Sequence, residues 1–125
     1  MALGAPVPVL RMFDEAKARE FYCDFLGFTI DWEHRFEPDT PPYMQIRNGS
    51  CVIQLSEHFG DASPGASMRI PMPELDAFVA GLNAKRYRNA RPGIMEQPWA
   101  RDCVIGDPFG NKLVFWAPHP TELQV

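Results

Sequence analysis

The order of elements along the chain predicts an α+β protein built twice on one plan: a strand, a helix, then three strands. Three observations carry this. Helical spacing of apolar residues occurs in two places, once at Ala18, Phe21, Tyr22 and Phe25 and again at Leu75, Phe78, Val79 and Leu82. The remaining apolar runs are of strand length, bounded by Gly, Pro, Asn and Asp. Between the halves, His58 to Gly65 has the composition of a loop. The twofold plan rests on element order and not on residue identity. It gives one domain over 1–125, with a first module over about 6–58 and a second over about 66–118.

The first strand is expected over Val7 to Phe13, with Pro8 near its start, where a missing N–H does little harm. Asp14 is a suitable N-cap for a helix over Glu15 to Leu26, and Gly27 supplies its stop. From Phe28 the period becomes two. Phe28, Ile30, Trp32, His34 and Phe36 alternate with Thr29, Asp31, Glu33, Arg35 and Glu37, as in a half-buried strand. Pro38 to Pro42 interrupts it, a strand over Tyr43 to Arg47 follows, and Asn48-Gly49 predicts a hairpin into Cys51 to Glu57. In the second half, Met68 to Met72 reads as a strand placed at an edge or bend by Pro71, followed by the Leu75 helix. Strand-like pieces then lie near Ala90 to Gln97, Arg101 to Ile105 and Lys112 to Ala117, the last two flanking the turn Asp107-Pro108-Phe109-Gly110-Asn111.

Composition narrows the class of function. At 125 residues the chain can bury a core without staples, and 46% apolar residues suit a globular protein. A net charge of -4, with Lys and Arg scattered, argues against nucleic acid and towards a cationic partner. Cys23, Cys51 and Cys103 sit far apart in apolar runs with no C-x-x-C spacing, as buried hydrophobes in a reducing compartment do. No run approaches the ~20 apolar residues of a membrane span, and Met1 to Pro8 lack the features of a secretory signal, so a cytoplasmic location is expected. No nucleophile elbow, P-loop, dinucleotide fingerprint or zincin spacing is present.

The motifs Val7-Pro8-Val9-Leu10, Leu26-Gly27-Phe28, Leu55-Ser56-Glu57-His58, Glu96-Gln97-Pro98-Trp99 and Asp107-Pro108-Phe109-Gly110-Asn111 together resemble the bleomycin-resistance proteins. These belong to the glyoxalase, or vicinal-oxygen-chelate, superfamily. The resemblance spans nearly the whole chain, and Glu-Gln-Pro-Trp before an Arg is its more specific part. It implies paired βαβββ modules, each curling into a half-open mixed sheet. It also implies a homodimer with ligand grooves at the interface, and an N-terminal strand exchanged between subunits at a proline matching Pro8. Resistance proteins of this kind bind bleomycin-type drugs and hold them without destroying them.

Metal enzymes of the superfamily place His, Glu or Gln on the first and last strands of each module. By match to that pattern these positions fall at Val7, Gln54, Ser67 and Val114. Valine cannot ligate and Gln54 alone is a weak ligand, so neither a metal nor another cofactor is expected. The match places Trp32, Phe36, Ser56 and Trp99 at the groove. Gln54 joins them as a polar groove group, and Trp116, on the same side of its strand as Val114, as a wall. The alternation alone equally allows Trp32, His34 and Phe36 to face the core. Glu57 and Asp61 are either negative charge near the groove or solvated loop residues. Two departures from the family pattern are local: Ala100 stands where a Gly is usual, and Arg86 where a helix-ending Gly is expected.

The expected function is therefore sequestration of a bleomycin-like or other flat cationic ligand by a metal-free, cytoplasmic homodimer, with neither nucleic acid nor membrane as partner. The alternatives are a metal-independent enzyme of the superfamily acting on a small molecule, and a metabolite-binding module.

Overall fold

The computed structural model describes residues 1–120. The chain divides into two compact units, one of Met1–Ala66 with Pro108–Asn111, the other of Ser67–Asp107 with the chain from Lys112 onwards. Each holds one four-stranded open mixed sheet.

In the first unit, β1 (Val9–Arg11) runs parallel to β4 (Cys51–Ser56), which pairs antiparallel with β3 (Tyr43–Asn48) and through it with β2 (Thr29–His34). Pro8 precedes the edge strand β1, and its carbonyl accepts the Gln54 N–H at 2.9 Å. Residues 1–7 lie exposed ahead of it. Asp14 caps α1 (Glu15–Ala18), its Oδ1 accepting the Lys17 N–H at 3.0 Å. The expected single helix changes character at its second turn: Arg19–Phe25 continues in the wider π-type winding, with the Leu26 N–H reaching back to the Phe21 carbonyl. Gly27, at φ 84°, then ends it. Phe21, Tyr22, Phe25 and Leu26 are buried, as is the row Met44, Ile46, Ile53 and Leu55 from one face of the sheet.

The other face of that sheet departs from simple alternation. The β2–β3 register shifts between Ile30, opposite Ile46, and Trp32, opposite Gln45. One extra residue, Asp31, is accommodated as a β-bulge. Ile30 thus belongs with the buried row, while Trp32 and His34 turn to the open face, opposite Gln45 and Tyr43. The expected common face for Phe28, Ile30, Trp32, His34 and Phe36 therefore does not form, because the bulge inverts the pattern midway.

In the second unit the strand order is β5 (Ser67–Pro71), β8 (Lys112–Ala117), β7 (Arg101–Gly106) and β6 (Met95–Glu96), with β5 parallel to β8. Pro71 stands on the edge strand β5, where no inner-ladder N–H is required. Of the stretch expected as a strand over Ala90 to Gln97, only Met95–Glu96 pairs. Helix α2 (Leu75–Ala84) buries Leu75, Val79 and Leu82, and Phe78 meets Phe115 with ring centroids 4.8 Å apart. Leu113, Phe115, Cys103 and Ile105 form the buried face of the sheet. Arg86 follows α2 at φ 53°, so the helix stop forms in the left-handed region without a glycine. Ala100 is buried and does not have positive φ, so its methyl group brings no backbone strain.

Candidate functional site

The open face of the first sheet carries a chain of hydrogen bonds across its strands. Tyr43 donates its hydroxyl hydrogen to Gln54 Oε1 at 2.6 Å, Gln54 Nε2 donates to Gln45 Oε1 at 2.8 Å, and Gln45 Nε2 donates to Asp31 Oδ2 at 2.8 Å. Arg47 Nε closes the row on the same carboxylate at 3.0 Å. The bulge makes this row: it is what brings Asp31 to the side of Gln45 and Arg47. Trp32 stacks on Tyr43, centroids 6.0 Å apart and planes within 8°, and stays 42% exposed. Trp32 is thus an accessible aromatic plate on a polar floor whose groups hold one another in place.

Beside this row lies a cavity of about 590 Å³ within the same unit, within the size range of small-molecule sites. Phe36, Pro41, Pro42 and Tyr43 line it from the β2–β3 connection and the start of β3. Phe36 is 74% exposed and meets His34 edge to face. The opposite wall is the end of β4 and the following turn, with Ser56, Glu57 and Asp61. Ser56 is only 2% exposed and its hydroxyl is occupied locally, donating to Asp61 Oδ2 at 2.6 Å and accepting the His58 N–H at 3.0 Å. Its part is to hold the turn that carries Asp61.

The second unit has its own cluster on the open face of its sheet. Asp102, 4% exposed, receives two hydrogen bonds from Arg69, at 3.1 and 2.9 Å, and a longer one from the Trp99 indole N–H at 3.3 Å. The Arg69 bonds hold the Asp102 carboxyl below its ordinary range; burial opposes them and the Trp99 bond adds to them. The Arg69 guanidinium lies 5.6 Å from the ring centroid of Trp116, which faces Asp102 across the β7–β8 ladder. Trp99 itself is 65% exposed in the segment between β6 and β7. Arg101, two residues on, bonds Asp76 and Glu96 and so ties that segment to α2 and β6.

The four positions matching the superfamily metal pattern do not fit a metal. In the first unit Val7 has no donor atom and the Gln54 amide is bonded at both ends to Tyr43 and Gln45. In the second, Val114 is apolar and Ser67 offers a lone hydroxyl. Among the described residues no three His, Cys, Asp or Glu side chains group so as to hold an ion.

Of the residues singled out in the sequence, Trp32 and Gln54 meet on one face, Phe36 and Ser56 on one cavity, and Trp99 and Trp116 around one ion pair. Sequence reasoning missed Tyr43, Gln45 and Asp31, and the Arg69–Asp102 pair. Asp31 carries no sequence signal, because the alternation runs through the bulge unbroken.

Two open four-stranded sheets, each with its parallel edge strand returning beside the last strand of its own unit, define a protein of paired βαβββ architecture. The chain belongs to the glyoxalase superfamily: the sequence model of a family described as glyoxalase superfamily protein matches residues 2–120. No curated protein matches the sequence. Among solved structures, it is similar to an antibiotic-binding protein from Streptomyces sp. CB03234, at 18% identity over 94% of this chain and 98% of that one, with a TM-score of 0.72. A bleomycin-binding protein from bleomycin-producing Streptomyces verticillus, complexed with copper(II)-bleomycin, matches at 23% identity over 95% and 99%, TM-score 0.70. A virulence protein from Salmonella typhimurium matches at 20% identity over 94% and 99%, TM-score 0.64. Likeness at these identities establishes the fold. No helix among the described residues is long and apolar enough to cross a membrane.

Proposed function

We propose that the protein binds a flat cationic small molecule of the bleomycin type, in grooves formed where two copies of the chain meet, and holds it without breaking a bond. The observation that carries this reading is the pair of exposed tryptophans held by their neighbours: Trp32 stacked on Tyr43, and Trp99 bonded to a buried carboxylate. A plate already fixed in orientation loses little freedom when a ring stacks on it, which favours binding. Stacking contributes roughly 0.5–1.5 kcal/mol per aromatic pair beyond area burial, so several plates are needed. The bleomycin-binding and antibiotic-binding proteins of the same fold support the choice of ligand class. The free Cys23, Cys51 and Cys103 support a reducing, cytoplasmic setting. Residues 1–7, exposed ahead of Pro8, are the segment proposed to reach the second subunit.

The test is a tryptophan-fluorescence titration with bleomycin, metal-free and copper-loaded, on the wild type and on Trp99→Phe. Saturable quenching at one drug per subunit, with affinity at least tenfold weaker in the variant, is the expected result. An unchanged spectrum at high micromolar drug removes this reading.

A further inference from the structure

Within the first unit, the cavity beside β4 carries a charge pattern that the stacked tryptophans do not account for. We propose that this cavity is the seat of a cationic headgroup, an amidinium or ammonium joined to an aromatic ring, with Glu57 and Asp61 as its counter-charges and Phe36 and Tyr43 as its walls. The inference deepens the ligand-binding reading above and rests on it for biological meaning, though not for its test.

Glu57 is half-buried in the cavity wall and makes no hydrogen bond or ion pair with any described residue. An unpaired carboxylate in such a place is costly, and a cation beside it removes the cost. Arg11, the positive group that acts on it through space, is turned elsewhere: its Nη1 donates to the Ala62 carbonyl at 3.4 Å and its guanidinium lies 4.6 Å from the Phe13 ring centroid. Asp14 and Glu15 add to the negative potential acting on it.

Asp61 is aimed by Ser56, which holds Oδ2 and leaves Oδ1 4.0 Å from His58 Nδ1. That nitrogen accepts the Gly60 N–H at 3.1 Å, so the neutral ring carries its hydrogen on Nε2 and offers Asp61 no donor from Nδ1. A Cβ on Gly60 would lie 2.8 Å from the His58 ring, so the turn keeps this arrangement only with glycine there. Tyr43 gives its hydrogen to Gln54, leaving the hydroxyl lone pairs to accept from a ligand N–H. Two carboxylates, one hydroxyl acceptor and an apolar rim thus converge in a cavity that His58 also lines and that no Lys or Arg side chain lines. This is the complement of a flat amidinium.

The test uses benzamidine and its neutral counterpart benzamide, followed by amide chemical shifts of the whole chain. Benzamidine is expected to shift the amides of residues 57–61 saturably, with a dissociation constant at least tenfold below that of benzamide. Glu57→Gln is expected to abolish that preference, and Asp61→Asn, which keeps an acceptor for Ser56, to reduce it. Equal binding of the two probes, or shifts confined to other residues, overturns the inference, as does unchanged preference in both variants. Preference for benzamidine without bleomycin quenching removes the drug-type reading and keeps the cation seat; bleomycin quenching without that preference removes the seat alone.

Discussion

Burial pushes the Glu57 carboxyl above its ordinary range, Asp14 and Glu15 push it further, and Arg11 only partly opposes them. The folded chain therefore holds this proton to higher pH than the unfolded chain does. Stability from the protonated form is fully present below the unfolded value and is lost as pH rises through the folded one. Glu57→Gln should consequently raise the melting temperature at pH 7 and show little difference from the wild type near pH 4. A variant less stable than the wild type at pH 7 would mean that Glu57 is paired in solution. Arg86 offers a backbone counterpart. Its φ of 53° puts a residue with a Cβ in the left-handed region directly after α2. Arg86→Gly should stabilise the protein by about 0.5–1 kcal/mol, read as a higher urea midpoint, after the added freedom of the unfolded glycine is set against the relieved strain. That position was legible in the sequence as the place where a glycine is expected and missing. Asp102 was not. Its partners Arg69 and Trp99 lie 33 and three residues away, and only strand register brings the first of them near.

At the scale of elements, the clearest turn in the sequence has a second role that its residues do not announce. Asp107-Pro108-Phe109-Gly110-Asn111 reads as a hairpin turn, and Gly110 meets that need with φ 91°. Pro108–Asn111, however, group with the first unit, where Phe109 meets Phe13 edge to face at 6.2 Å. Asn111, 1% exposed, donates to the Arg11 carbonyl at 2.8 Å and accepts the Ala66 N–H at 3.2 Å. Asn111→Ala leaves two partly buried backbone groups without these partners, which should cost about 2–3 kcal/mol. The urea midpoint is expected to fall with little change in slope; a loss below ~0.5 kcal/mol would mean that water replaces both bonds. The sequence also conveyed the helices and six of the eight strands among the described residues closely, because periodicity and caps are local. It conveyed the β2 bulge not at all, since a one-residue register shift is set by the partner strand. That shift decides which way Trp32 faces, so fold and site differ in how well they can be read: the first follows from spacing within a segment, the second from register between segments.

For the molecule as a whole, the apolar groups that each unit leaves exposed bear on the proposed dimer. The first unit exposes Val7, Trp32, Phe36 and Phe59; the second exposes Met95, Trp99 and Val104. Exposed apolar groups beside unpaired strand edges favour association, and a specific dimer covers them where aggregation otherwise would. The N-terminal segment suits this role: from Val9 the chain is paired in register with β4, but residues 1–7 lie exposed before Pro8 fixes the chain direction. Removing residues 1–7 should therefore raise the dimer dissociation constant at least tenfold while leaving far-ultraviolet circular dichroism unchanged, because β1 and its ladder are retained. Light scattering of the intact protein at micromolar concentration is expected to give twice the chain mass, and the shortened chain a mass falling on dilution. A stable dimer of the shortened chain would place the interface on the sheet faces alone. A monomeric intact chain would leave Trp32 and Trp99 as plates without a groove, and bleomycin quenching would then have to arise within a single subunit.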